Sequence, residues 1–385
     1  MSEANKPYQH EPFPVGKTKV DQQRNAALLS GYDYEKYPGG FTGYNGQDLQ
    51  RVSYEQWQPA LRVRVGPRGN YKAGFTRMPD GRLILASCRD NHDTDPDKRR
   101  FGIHVYESSD DGESWNEIGK TQLFGKEPSL AVQGDGTLVL TAQGGCFGPS
   151  ANRNAHTLAR SEDGGRTWES IGFEAFDYPR NVIVEPDGSF LFITAVRSDW
   201  YNEGHGSPNL LMHRSKDGRT WDRLEGTVDW DFPGFGEVGC LRLKDGRLLA
   251  ALRRQIPGTT GEGYEDTMIT ESNDDGKTWA CPWRLIETAK VHAYLTELHD
   301  GRVLCTYSNY HVPYGVSAVF SKDGGRTWDH DRTIRLSTSN DFYVGWAATL
   351  QLPDKRLITS YAVTCYSMQE PDRVTCEVVR WPLSS

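Results

Sequence analysis

SEDGGRTW, residues Ser161–Trp168, decides the fold of this chain. It reads as a hairpin tip. The Asp accepts bonds from turn amides, the Gly supplies a positive φ, and the Trp opens the next strand and packs back over the turn. Four relatives of the stretch follow the same order: SSDDGESW (Ser108–Trp115), SKDGRTW (Ser215–Trp221), SNDDGKTW (Ser272–Trp279) and SKDGGRTW (Ser321–Trp328). A repeat of roughly 55 residues points to a ring or array of small supersecondary units.

A second repeat interleaves with the first. It consists of MPDGRLILAS (Met78–Ser87), QGDGTLVLTA (Gln133–Ala142), EPDGSFLFITA (Glu185–Ala195), LKDGRLLAAL (Leu243–Leu252), LHDGRVLCTY (Leu298–Tyr307) and LPDKRLITSY (Leu352–Tyr361). Asp-Gly between apolar runs signals a two-residue hairpin. Each unit then holds an inner strand, the Asp-Gly turn, a second strand, a variable loop, a third strand, the Trp-ending box and a fourth strand. Six such units predict an all-β chain, a six-bladed β-propeller of four-stranded antiparallel blades. The sixth copy has no box after it, so Pro59–Val65 (PALRVRV) is expected to supply the missing outer strand and close the ring. The propeller would span residues 59–385, with residues 1–58 as an extension wrapped on it. The box Trp residues, Trp168 among them, are expected to pack between strands.

Composition narrows the function classes. The net charge of −8 and the absence of a basic run argue against a nucleic-acid partner. No apolar run reaches 18 residues, so no membrane span is expected. Met1–Tyr8 lacks the apolar core of a secretory signal, and the seven Cys are scattered without a CxxC pair. Reduced thiols and a cytoplasmic location are the expectation. No Cys/His cluster has metal-ligand spacing, and no metal or other cofactor is expected.

The repeats also say where function lies. Strands alternate in direction, so Asp-Gly turns and boxes share one face of the ring. The opposite face collects the loops between second and third strands and the links between blades, where length and chemistry vary. Blade one's loop CRDNHDTDPDKRR carries Arg89, Asp90 and His92, blade three's carries Arg197, and blade five's carries His311. The links add Lys72, Glu127, Arg180, Glu237, His292, Tyr294, Tyr343 and Trp346, which would line the mouth of the central channel. Arg, carboxylates and aromatic walls around one depression suit an anionic sugar.

These motifs resemble the sialidase (neuraminidase) superfamily of Asp-box propellers over about Val63 to Leu383. The resemblance implies a glycoside hydrolase. EVGCLRLKDG places Glu237 where the family carries a catalytic Glu, and Arg253 stands where it carries a carboxylate-binding Arg. YKAG puts Lys72 in place of another Arg of that clamp. The loop holding Asp90, Asp93 and Asp95 is where the family's acid/base Asp lies. Two positions depart from the pattern. His311 lies in the stretch where the third Arg is expected. Trp346 falls at the place of the family's nucleophilic Tyr, with Tyr343 three residues earlier. A different sugar from sialic acid is therefore expected, one that is acidic or deoxy.

Hydrolysis of a glycosidic bond needs an acid for the leaving oxygen and a nucleophile or a base for water. The resemblance implies that Glu237 draws the proton of an attacking tyrosine, here Tyr343, with Asp90 as the acid. Glu237 with Asp90 or Glu127 would alternatively form a two-carboxylate site. Lys72, Arg89, His92, Glu127, Arg180, Arg197, Arg253, His311 and Trp346 are the expected substrate-binding residues. Two other function classes compete with an exo-acting hydrolase. One is a non-catalytic, lectin-like propeller. The other is a polysaccharide lyase using Tyr343 and His311 on a uronate. Oligomeric state is not readable from the sequence.

Overall fold

The computed structural model describes residues 60–383 except 96–97, 145–155, 173–179, 196–209, 229–234, 256–264, 287–289, 312–313, 340–343 and 365–373. The extension expected over residues 1–58 lies outside the described residues. Six sheets, antiparallel within each blade, follow one another around a ring. Blade one is Tyr71–Arg77, Leu83–Asp90, Phe101–Ser108 and Asn116–Phe124, counted from the axis outward. Blade four is Phe235–Arg242, Leu248–Gln255, Glu265–Ser272 and Trp283–Ile286. Blade five is Lys290–Glu297, Val303–Asn309, Gly315–Ser321 and Ile334–Thr338.

The sixth blade is closed by the start of the chain. Leu61–Arg64 pairs antiparallel with Val374–Trp381, Leu61 opposite Arg380 and Arg64 opposite Glu377. Arg62 Nη1 donates to the Tyr361 hydroxyl at 2.7 Å, and that hydroxyl donates to Glu377 Oε2 at 3.0 Å. The seam is thus both a ladder and a half-buried polar chain. A chain beginning at residue 66 would leave Val374–Trp381 as an open edge. It is expected to melt well below the full chain and to associate in size-exclusion chromatography. A monomer of unchanged melting temperature would refute this role for the first strand.

Apolar clusters fill each gap between neighbouring blades. Leu83, Leu85 and Tyr106 of blade one meet Ile358, Cys376 and Val378 of blade six. Leu191, Ile193 and Met212 of blade three meet Val238, Leu248 and Trp279 of blade four. Alternate residues of each strand face opposite neighbours, so both faces of a blade are apolar.

The two turn repeats sit at one end of the ring, as their order requires. In each box the Ser hydroxyl donates to the Asp carboxylate, and a Gly amide donates back to the Ser hydroxyl. Ser161 Oγ lies 2.9 Å from Asp163 Oδ1, Gly165 N lies 3.0 Å from Ser161 Oγ, and Trp168 Nε1 donates to Gly165 O at 2.9 Å. The Asp-Gly turns are not the two-residue hairpins expected from sequence. Met78 N donates to Arg82 O at 2.7 Å, which leaves the three-residue loop Pro79–Gly81. Gly81 takes φ +95° at its end, the left-handed residue that such loops need. Burial of the box Trp residues is uneven. Trp115, Trp168, Trp221 and Trp328 are half-buried, while Trp279 is only 3% exposed. Trp279 differs because Thr278–Trp279 pairs parallel with Thr227 and Val228, which draws the indole into the blade three–four gap.

Candidate active site

At the end of the ring opposite the turns, the innermost strands begin with a bulge. Ladder register breaks between Tyr71 and Gly74, Lys126 and Ser129, Gly236 and Val238, Val291 and Tyr294, and Gly345 and Ala348. Within these breaks Lys72, Glu127, Glu237, His292 and Trp346 all take left-handed φ values, between +47° and +56°. None is a glycine, so each conformation is strained, and such strain collects at functional sites. In these five blades the bulge re-aims one side chain towards the axis. Blade three contributes Arg180, whose amide donates to Val238 O at 3.0 Å.

The re-aimed side chains form one buried polar ring. Lys72 Nζ is 2.8 Å from Glu127 Oε1, and Arg180 Nη1 is 3.3 Å from Glu127 Oε2. On the other side Arg253 is held between two acids, with Nη1 2.7 Å from Glu237 Oε1 and Nη2 2.8 Å from Glu265 Oε1. His292 Nε2 lies 3.1 Å from Arg253 Nη1 and 3.3 Å from Glu237 Oε2. Lys72, Glu127, Arg180, Tyr294 and Trp346 line a cavity in the channel itself. Lys72 Nζ sits 3.8 Å from a ring centroid of Trp346, and His292 stacks on the indole with ring centroids 4.6 Å apart. The indole therefore positions these two residues.

The two central carboxyls differ electrostatically. Burial pushes the Glu237 carboxyl up; Arg253 opposes this, the charge of Glu127 adds to it, and the value stays raised. Burial also acts on Glu127, but Lys72 and Arg180 outweigh it and hold that carboxyl below its ordinary value. Burial, then the charges of Arg253, Arg180 and Lys72, keep His292 well below the usual imidazole value, so it is neutral.

Other expected site residues lie elsewhere or have other partners. Asp90 ends the second strand of blade one and is gripped by Arg99, whose Nε donates to its two oxygens at 3.1 and 2.9 Å. His92 N donates to Asp90 Oδ1 at 2.9 Å. Burial raises the Asp90 carboxyl, yet the Arg99 and His92 bonds bring it below its ordinary value. That environment suits a fixed anion ordering its loop better than a proton donor. Arg89 lies against His104, with Nη2 2.9 Å from its Nδ1, and His104 meets Glu117. His92 is exposed and His311 half-buried. Arg197 and Tyr343 lie outside the described residues. Sequence reasoning left Glu265 and Tyr310 out. Glu265 is fully buried, and the Tyr310 hydroxyl is 3.5 Å from His292 Nε2. Neither carries a motif; Glu265 could have been found only by noting that a strand opening with Glu-Asp must pair with Arg253-Arg254.

Comparison with known proteins finds the same repeat class and the same fold. The family model described as BNR repeat-like domain matches residues 51–260. The chain belongs to this BNR repeat-like family. A sialidase of Bacteroides fragilis is 24% identical over 258 residues, which is 63% of this chain and 39% of that protein. The chain therefore spans well under half the length of that curated relative. Among solved structures, an alpha-L-arabinanase of Penicillium chrysogenum complexed with arabinobiose superposes with TM-score 0.60 at 15% identity. The match covers 83% of this chain and 98% of that one. A sialidase of Streptococcus pneumoniae gives TM-score 0.59 at 12% identity, covering 88% and 72%. A Dyadobacter fermentans protein of unknown function gives 0.62 at 19%, covering 83% and 98%. At these identities the structural likenesses show the propeller fold that the BNR repeats build.

Proposed function

We propose that this BNR-repeat propeller is an exo-acting glycoside hydrolase that removes a terminal acidic or deoxy sugar at the channel mouth. The observation that carries the reading is the buried pair Glu237 and Glu127, whose surroundings push their protonation apart. Such divergence assigns acid and base. Glu237 holds the proton for the leaving glycosidic oxygen. Glu127, kept ionised by Lys72 and Arg180, serves as the nucleophile or as the base that activates water. Tyr343 is the alternative attacking group. With its proton in place on Glu237, the ring carries Lys72, Arg180 and Arg253 against Glu127 and Glu265. That surplus of one positive charge supports an anionic sugar. The names of the sialidase relative and of the arabinanase and sialidase neighbours support hydrolysis of a glycosidic bond.

Aryl glycosides of sialic, uronic and deoxy sugars test this, with ultraviolet detection of any unsaturated uronate. Activity is expected to be bell-shaped in pH. It falls as pH rises through the raised Glu237 value, because the acid loses its proton. It falls as pH drops through the lowered Glu127 value, because the carboxylate is lost. A flat profile would remove both roles. An unsaturated product would establish a lyase, and binding without turnover would establish a lectin-like propeller.

A further inference from the structure

Arg180 is the cation of the buried ring that lacks a carboxylate of its own. Arg253 is held by Glu237 Oε1 and Glu265 Oε1 at 2.7 and 2.8 Å, and Lys72 Nζ takes Glu127 Oε1 at 2.8 Å. Arg180 has to share Glu127 with Lys72. Its one ion pair among the described residues runs from Nη1 to Glu127 Oε2 at 3.3 Å, longer than an ordinary N–H···O bond. The side chain is 5% exposed, and its Nε is buried without a hydrogen-bond partner among the described residues. A buried guanidinium engaged at one corner is costly unless something meets its remaining donors.

The backbone that carries Arg180 is nonetheless fixed. Its amide donates to Val238 O at 3.0 Å. Beside it, Asn181 Nδ2 donates to Cys240 O at 2.8 Å, and Cys240 N donates to Asn181 Oδ1 at 2.7 Å. Val182 N donates to Ser129 Oγ at 3.1 Å. The start of blade three's inner strand is thus tied to blades two and four. From there Arg180 lines the channel cavity together with Lys72, Ser129 and Tyr294. Tyr294 keeps its proton and can donate, because burial raises its hydroxyl to about 12. Glu127 is the one carboxylate among the described lining residues, and both of its oxygens are taken, by Lys72 and by Arg180 Nη1.

We propose that the channel cavity is an anion site, in which a monoanion lies on the Nε–Nη2 edge of Arg180 and accepts from the Tyr294 hydroxyl, with the Lys72 ammonium lining the same cavity. That edge is the fork that meets a carboxylate with two parallel bonds. It is distinct from the Nη1 corner that meets Glu127. Two sources share this chemistry, a free halide and the carboxylate of an acidic sugar bound at the mouth. The second source rests on the hydrolase reading and places the acid group of its substrate; the first does not depend on that reading.

The ³⁵Cl line width of sodium chloride solutions of the full chain tests the halide, and calorimetry with glucuronate and glucose tests the carboxylate. Excess line width is expected with the native chain and is expected to be lost in Arg180→Gln, which keeps a polar side chain and removes the charge. Arg326→Gln, at an exposed turn arginine on the other end of the ring, should keep it. Tyr294→Phe should weaken binding by about tenfold, the worth of one hydrogen bond to a charged group. Displacement of chloride by glucuronate but not by glucose would assign the site to the sugar's carboxylate, and retention of chloride would assign it to a free halide. Without chloride broadening, the carboxylate form still requires glucuronate to bind more tightly than glucose, and Arg180→Gln to abolish the difference. Line width and glucuronate affinity both unmoved in Arg180→Gln would overturn the proposal. If that variant does not fold, unmoved values in Tyr294→Phe do so. Neither measurement needs turnover. Anion binding that depends on Arg180, in a chain that cleaves no acidic glycoside, would refute the hydrolase reading and leave the anion site standing.

Discussion

Replacing Glu237 by Gln is expected to lower turnover by about 10²–10⁴-fold, the range for loss of a general acid or base. Gln keeps the shape and can still accept from Arg253 Nη1, 2.7 Å away, so folding should be nearly intact. KM should change little, because the proton matters in the transition state and not in binding. Tyr343→Phe then separates the two attacking groups. A tyrosine nucleophile loses almost all rate in that variant, whereas attack by Glu127 or by water retains most of it. Full activity of Glu237→Gln on the best substrate would end the hydrolase model built on this residue. Glu127→Gln is the companion change. It leaves Lys72 and Arg180 facing each other without the carboxylate between them, so its thermal stability must be reported beside its rate.

Trp279→Ala is expected to cost about 3–5 kcal/mol of stability, the usual range for deleting a fully buried large aromatic. The indole is 3% exposed and packs with Met212, Val238 and Leu248 in the gap between blades three and four. Its Nε1 donates to Gly276 O at 3.1 Å, closing the turn on itself. Trp168→Ala, at a half-buried position of the same motif, should cost clearly less. Chemical denaturation of the two variants checks the ordering, and equal losses would mean that burial does not decide it. Turnover of the folded fraction should be unchanged in both, because the box turns lie at the end of the ring away from the channel mouth.

The architecture was legible in the sequence because it is written many times. Each Asp-Gly run and each Ser-Asp box encodes a local turn through residues a few positions apart, and hairpin order then forces both turns to one face. The outer strand of blade six was legible for a different reason. A propeller with one strand missing has an open edge, and Pro59–Val65 was the unassigned stretch with a strand pattern. The details of the turns were less legible. The same Asp-Gly that fits a two-residue hairpin closes a three-residue loop here, because Met78 and Arg82 stay paired. Nor does one box Trp look different from another; Trp279 is buried because blade four's turn happens to pair with blade three's edge strand.

At the channel mouth the division is sharper. The sequence by itself determined which residues open the inner strands, and so brought Lys72, Glu127, Arg180, Glu237, His292 and Trp346 to one end of the ring. What they do there was decided by tertiary structure. The left-handed bulges turn all of these side chains but Arg180 to the axis, and no propensity announces that conformation in Lys, Glu, His or Trp. Protonation was decided there too. Glu127 and Glu237 are the same side chain at the same place in two blades, yet one meets two cations, Lys72 and Arg180, and the other meets Arg253 and the neutral His292. Asp90, the acid suggested by its loop, is instead held as an anion by Arg99. Charge balance in a buried ring depends on distances between residues 12 to 55 positions apart, and those distances exist only once the blades have folded and closed on one another.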